Sequence, residues 1–203
     1  MLERPTAPRK LARQARSKRT VNMILSAAAH ILKHNGPGGL TTNHIAQEAN
    51  ISVGSIYQYF PNKHAILLSL MRLQIERANT QKPARLDGHE VITLDERIAS
   101  SVRWHLDTGR EDPLLFQRLF EAQREILTTQ ERRQFDRYHE DAVFAGLQAH
   151  AKEIRIKNLR TAALVVSQFL VAATQSATAS QPCLLNDAEY ESQIVDALLC
   201  YLR

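Results

Sequence analysis

The sequence predicts an all-α protein, and three observations lead there. Apolar residues recur at three- and four-residue steps through most of the 203 residues, the spacing of one helical face. Ser, Thr, Asn and Asp stand just before those runs and Gly or Pro just after them, as helix starts and stops require. Neither strand-like alternation closed by hairpin turns nor an internal repeat is found.

The elements follow in chain order. Residues 1–16, rich in Pro and Arg and without apolar period, read as a flexible basic arm. A first helix is expected over 17–34, with Val21, Ile24, Leu25, Ala28, Ile31 and Leu32 on one face, stopped by Gly36-Pro37-Gly38-Gly39. Thr41 or Thr42 caps a short second helix that turns Ile45, Ala46 and Ala49 inward. Asn50-Ile51-Ser52 makes a turn. Ser52 caps a third helix, which ends near Phe60 because Pro61 disfavours continuation. Asn62 caps a long fourth helix over 63–81, and a linker is expected over 82–89.

Thr93 with Glu96 forms a capping box for a helix running to about Thr108, and Asp112-Pro113 opens the next, since Pro suits a first turn. Thr128 with Glu131 is a second capping box, opening a helix to about Lys152. A helix over 159–179 is broken by Gln181-Pro182. Asn186 is expected to cap the last helix, with Ile194, Val195, Leu198, Leu199 and Leu202 as its apolar stripe. Three parts result: the arm at 1–16, a three-helix domain at 17–63 and a larger helical domain at 64–203.

Composition narrows the class. Hydrophobic residues make up 44% of the chain, an ordinary globular share. Apolar stretches such as 169–173 are too short to cross a bilayer. No apolar run follows Arg4, Arg9 and Lys10 before Val21, so no secretory signal is read and a cytoplasmic place is expected. Cys183 and Cys200 have no CxxC or CxxH setting and are expected to be reduced and packed. Charge is uneven. Residues 1–63 hold nine Lys and Arg against Glu3 and Glu48, a net +7, whereas 64–203 hold 17 basic and 19 acidic residues, a net −2. Such asymmetry suits a polyanion held at one end, and a solvated basic tail accounts for charge alone equally well.

Motifs separate the two. A short helix, a tight turn and a second short helix, braced by a third, is the helix-turn-helix plan, in which the second helix fits the DNA major groove. On a wheel of the third helix, Ile56 and Phe60 point inward while Gly54, Ser55 and Gln58 point outward, flanked by Tyr57 and Tyr59. Gly54 lets a backbone approach closely, Ser55 can donate to phosphate or base, and Gln58 carries the paired donor and acceptor suited to adenine. The tyrosines add hydroxyls for phosphates and rings for thymine methyls, and Lys63 adds a point charge.

At these residues the chain resembles the TetR family of transcriptional regulators. The stretch over 38–67, GGLTTNHIAQEANISVGSIYQYFPNKHAIL, matches the family's DNA-binding signature, preceded by a first-helix pattern in Ile24-Leu25-Ser26-Ala27-Ala28. The signal is specific because the Thr-Thr, Ile-Ala, Ser-x-Gly-Ser-x-Tyr-x-Tyr-Phe and Asn-Lys elements occur together. It covers a quarter to a third of the chain; beyond Leu67 it implies architecture only. Asn50 departs from the family's usual Gly, and Asn tolerates the left-handed conformation that such a turn needs. The resemblance implies that Thr42 and Asn43 touch phosphate or base, that Val53, Gly54, Ser55, Tyr57, Gln58 and Tyr59 face the operator, and that Lys63 holds phosphate. For Val53 the wheel points to the buried side and the resemblance to DNA. Arg16 and Arg19, beside the first helix, are candidates for the minor groove or phosphates, or for salt-dependent attraction alone.

For the larger domain the resemblance implies a helical bundle with a small-molecule pocket and a two-fold interface built from the last two long helices. The helix over 159–179 carries Ala162, Val166, Phe169, Leu170 and Ala173, small and apolar residues that let helices approach closely. With Ile194 and Leu198 they are the candidate homodimer interface; service to the protomer's own core is the alternative. Trp104, His105, Phe116, Phe120, Gln123, Tyr138, Phe144 and Gln168 mix apolar walls with polar anchors and are the candidate contacts for a small, mostly apolar effector. A palindromic double-stranded operator, a homodimer and an unidentified effector are the partners expected; no membrane and no cofactor are.

An enzyme is the main rival. His105 with Asp107, or Tyr138-His139-Glu140-Asp141, are acid–base candidates, but no HExxH, Walker or GxSxG pattern accompanies them. Solvated helix faces are the expected reading of both. A second rival keeps DNA binding and drops the ligand, leaving an architectural or recruiting factor.

Overall fold

A computed structural model describes residues 15–80 and 92–203, with side chains for 17–77 and 92–203. The arm expected over 1–16, but for the backbone of its last two residues, and the linker expected over 82–89 lie outside the described residues. Those described form helices and no strand: α1 Ala15–Asn35, α2 Thr42–Glu48, α3 Val53–Tyr59, α4 Lys63–Thr80, α5 Leu94–Glu111, α6 Pro113–Ile126, α7 Thr129–Gln148, α8 Leu159–Ser180 and α9 Ala188–Leu202. Short 3-10 turns stand at Pro37–Gly39 and Pro182–Asn186.

Capping chemistry sets most of these boundaries. The Thr41 hydroxyl accepts from the His44 N–H at 3.1 Å, the Ser52 hydroxyl from the Ser55 N–H at 3.1 Å and Asn62 Oδ1 from the Ala65 N–H at 2.9 Å. Each satisfies a donor that the first helical turn would otherwise leave unpaired. Both capping boxes form: Glu96 accepts from the Thr93 N–H at 2.9 Å, and Glu131 from the Thr128 N–H at 2.6 Å. The last cap differs from expectation. Asn186 closes the 3-10 turn, and Asp187 caps α9 by accepting from the Glu189 N–H at 2.8 Å. Helix α7 stops at Gln148, short of Lys152, and His150 pairs with Glu153 at 2.9 Å in the turns that follow.

The chain divides into two compact units, one of residues up to 76 with 114–132, the other of 77–113 with 133–203. The first therefore extends past residue 63, into α4 and to α6. Its core buries Ile24, Ile31 and Leu32 of α1, Ile45 of α2, Ile56 of α3, Ile66, Leu67 and Leu70 of α4, and Leu115, Leu119 and Ala122 of α6. Each large aliphatic side chain so buried contributes about 1.5–3 kcal/mol.

In the second unit α5, α8 and α9 pack on one another through Leu94, Ile98, Val102 and Leu106, Ala163, Val166 and Leu170, and Ile194, Leu198 and Leu202. Gly109 permits the close approach of α5: a Cβ there would lie 3.0 Å from both Thr174 Cγ2 and Thr178 Oγ1. The buried hydroxyls of α8 are satisfied within the helix, Thr174 donating to the Leu170 carbonyl at 3.0 Å and Thr178 to the Thr174 carbonyl at 2.7 Å. By length and composition α8 as a whole could cross a membrane, although no apolar run within it could; 44% of that stretch is buried inside the protein. Cys183 and Cys200 are exposed free thiols, not packed ones.

Candidate nucleic-acid interface

Helix α3 is a two-faced element of seven residues. Ile56, Tyr59 and Phe60, spaced three and four apart, form its buried face; Gly54, Tyr57 and Gln58 are exposed, and Ser55 is half-buried. The turn before it places Asn50 at φ 52, the left-handed conformation expected of this residue. Ser52 then does double work, capping α3 and sharing a 2.8 Å hydroxyl contact with Ser55. Across the turn the Tyr57 and Thr42 hydroxyls lie 3.4 Å apart, so α2 and α3 present one polar surface. Asn43 stands exposed on α2, and His30 of α1 pairs with Glu48 of α2 at 2.8 Å.

Of the residues expected at DNA, the structure brings Thr42, Asn43, Gly54, Ser55, Tyr57 and Gln58 onto this surface. Val53 is half-buried, between the two positions proposed for it. Lys63 is half-buried at the start of α4, Arg19 is exposed on α1, and the Arg16 side chain lies outside the described residues. Tyr59 is a correction. Its side chain retains 9% exposure because position 59 follows Ile56 by three residues and so shares the core face. Tyr57, two residues earlier, keeps 43% exposure and is the tyrosine that faces outward.

The same unit holds a pair that periodicity did not reveal. His64, in the first turn of α4, donates from Nδ1 to the Glu131 carboxylate at 3.1 and 3.2 Å, and both side chains are buried. Burial alone would push the Glu131 carboxyl up. The Thr128 N–H and hydroxyl and the His64 imidazole outweigh it and hold the group below the ordinary value of 4.5. The pair lies 67 positions apart in sequence, and its only local signal was the capping box.

The residues expected at the effector divide between the units. Phe116 and Phe120, with rings 4.9 Å apart, and buried Gln123 belong to the first. Trp104, His105, Tyr138, Phe144 and Gln168 belong to the second. There Trp104 and His105 of α5 meet His139 of α7, with ring centroids at 4.7, 6.2 and 6.2 Å. His105 and His139 are thus not the solvated positions expected of them, since both rings turn inward from amphipathic helices. The Trp104 indole N–H is buried without an acceptor, a condition costing about 1–3 kcal/mol. Phe144 lies under the Arg160 guanidinium at 3.8 Å. Tyr138 is exposed but sets its ring edge-on to His139 at 6.1 Å, at the rim of the cluster, whereas Gln168 is exposed on α8.

Most of the expected interface residues serve the protomer's own core, as a second correction. Ala162, Val166 and Leu170 of α8 and Ile194 and Leu198 of α9 are buried within their unit because they form the helices' inward stripes. Ala173 is half-buried, its carbonyl accepting from the Tyr190 hydroxyl at 3.0 Å. Phe169 alone of the set is exposed, at 42%. Leu164, Val165 and Ala172 lie on its side of α8 and are exposed with it, an apolar outer face that the sequence pattern had not separated from the inner one.

Comparison with known proteins agrees with this geometry. The family described as "Bacterial regulatory proteins, tetR family" matches residues 24–70, and "Tetracyclin repressor-like, C-terminal domain" matches 93–202. The HTH-type transcriptional regulator HbdR of Aromatoleum sp. (strain CIB) is 33% identical over 67 residues, 33% of this chain and 29% of that protein. The fatty acid metabolism regulator protein of Bacillus subtilis (strain 168) is 33% identical over 86 residues, 40% of this chain and 41% of that protein. Each match thus spans less than half the relative's length. Among solved structures, the fatty acid degradation regulator FadR from Bacillus halodurans superposes with a TM-score of 0.74 at 19% identity, covering 90% of this chain and 99% of that one. Salmonella enterica GusR gives 0.69 at 21% identity, covering 91% and 95%. At these identities the two structures share the fold.

Proposed function

We propose that this chain, which belongs to the tetR family of bacterial regulatory proteins, is a cytoplasmic DNA-binding transcriptional repressor that a small-molecule effector releases from a palindromic operator. The observation that carries the reading is the outward polar face of α3, Gly54, Ser55, Tyr57 and Gln58, held on a capped helix over a buried Ile56–Tyr59–Phe60 face. A rigid helix with one polar face is what a major groove admits, and its side chains match base edges and phosphates. One such helix reads few bases, so two copies related by a two-fold axis are required.

The apolar outer face of α8 supports that second copy. Leu164, Val165 and Phe169 are large hydrophobic side chains left exposed on one side of one helix, a pattern that marks an interaction surface. Phe169→Asp should convert the dimer to a monomer while the unit stays folded, since position 169 is outside the core. Sedimentation equilibrium reads the mass; an unchanged dimer would move the interface elsewhere.

Release needs an effector that binds the DNA-incompetent conformation more tightly, because a ligand of equal affinity shifts nothing. Two relatives named for fatty acid metabolism or degradation support an effector with an apolar body. Among the described residues no group of three potential metal ligands forms.

Gly54→Ala tests the carrying observation. A Cβ there would meet only Ser52 Oγ, at 3.8 Å, so the protein itself does not need glycine at 54. Alanine raises helix propensity, and stability should hold or rise by up to about 1 kcal/mol. Operator affinity should instead fall roughly tenfold, as the methyl stands off the DNA backbone. Operators selected from genomic fragments supply the probe for gel-shift titration. Log affinity of the wild type should fall with log salt by about 0.9 per phosphate contact. Unchanged Gly54→Ala affinity with a flat salt response would reject α3 as the reading helix.

A further inference from the structure

The second unit contains a ring cluster that DNA binding does not use. Trp104 packs edge-on against His105, with an interplanar angle of 86°, and both rings stand 6.2 Å from His139. Phe135 packs edge-on to His139 at 5.6 Å. The indole N–H of Trp104 is a donor only, and here it is buried with no acceptor. A buried donor without an acceptor is uncommon in a folded protein and is suited to a partner that brings one.

The neighbouring groups define that partner's charge. His105 Nδ1 lies 2.9 Å from the Ser101 carbonyl, which can only accept, so Nδ1 carries an N–H committed to its own helix. Burial pushes the His139 imidazole below its ordinary value of 6.5, which keeps that ring neutral at physiological pH and equips it with one donor and one acceptor. Neither Trp104 nor His139 therefore supplies a positive charge. A carboxylate entering between them would shed its water without a cation in exchange, whereas a hydroxyl or carbonyl oxygen gives up far less.

We propose that the Trp104–His105–His139 triangle receives the uncharged polar end of the effector, a hydroxyl or carbonyl oxygen that accepts from the Trp104 indole and is carried on an apolar body. This inference rests on the reading of the chain as effector-responsive and adds the chemical class: a neutral alcohol, ketone or ester, not a free acid. The Trp104 ring, and Phe135 through its contact with His139, offer apolar surface to that body.

Trp104 is the chain's single tryptophan, so its fluorescence reports on this site alone. Full-length protein is titrated with 1-octanol, 2-octanone and sodium octanoate, probes of one chain length differing at the polar end. The two neutral probes should change the Trp104 emission, and octanoate should need roughly tenfold or higher concentration for the same change. Trp104→Phe keeps an aromatic ring and loses the N–H; calorimetry should find it binding the neutral probes about tenfold more weakly. Equal response to octanoate, equal binding by Trp104→Phe, or no emission change with either neutral probe overturns the proposal. Should Trp104→Phe fail to fold, the wild-type emission series decides alone. A gel shift without any probe runs in parallel. Operator binding that survives a failed emission series leaves the repressor reading standing and removes this inference only; absent operator binding removes the repressor reading.

Discussion

Truncating Tyr59 to alanine should destabilise the first unit by about 3 kcal/mol, the cost of deleting a large aromatic from a packed site. For a chain of this size that is a fall in Tm of roughly 6–12 °C. The ring retains 9% exposure and shares its helix face with Ile56 and Phe60, so the cavity would open beneath α3 and disorder the helix proposed to read DNA. Any loss of operator affinity in Tyr59→Ala would then report unfolding, not a lost contact. Tyr59→Phe separates the two, keeping the ring and removing the hydroxyl. It should bind operator within about threefold of wild type and melt close to it. A Tyr59→Ala protein that melts like the wild type but loses operator would return this residue to the DNA-facing surface.

The second large effect is expected at Glu131. Its carboxylate accepts from the Thr128 N–H, which starts α7, and from His64 Nδ1, which starts α4. Glu131→Ala removes both at once, and leaving the buried His64 N–H and the Thr128 N–H without their acceptor costs about 1–3 kcal/mol for each. Glu131→Gln, which keeps an acceptor without the charge, should recover part of that loss. The pH dependence has a definite sign. The folded-state value of Glu131 is held below the ordinary 4.5, so the unfolded chain binds its proton first as pH falls. The stability Glu131 contributes is therefore fully present above about pH 5 and is lost as acid titrates through the lowered folded value. Denaturant titrations of wild type and Glu131→Gln across pH 3 to 7 should converge toward the acid end, as the carboxyl neutralises. Parallel curves would assign the wild type's acid sensitivity to other carboxylates.

Local chemistry was legible wherever the signal and the structure occupy the same few residues. The caps at Thr41, Ser52 and Asn62, the boxes at Thr93 and Thr128, and the left-handed turn at Asn50 all formed as read, since each needs only a side chain and a backbone group within three or four residues. The polar face of α3 was legible for the same reason, except at Tyr59. Tyrosine is amphipathic, and hydroxyl chemistry suggested an outward role while helical spacing placed the ring inward. Asn186 yielded its cap to Asp187 because both are good cap residues and the 3-10 turn takes up the first.

The amino-acid sequence by itself determined the helical class, the punctuation of its helices and the outward polar face of α3, because spacing and capping are short-range properties of the chain. Tertiary packing alone decided which apolar stripe of α8 is core and which is free, that His64 meets Glu131, and that Trp104, His105 and His139 converge. Those outcomes depend on which helix faces meet, and residues tens of positions apart carry no mark of their partners until burial selects them.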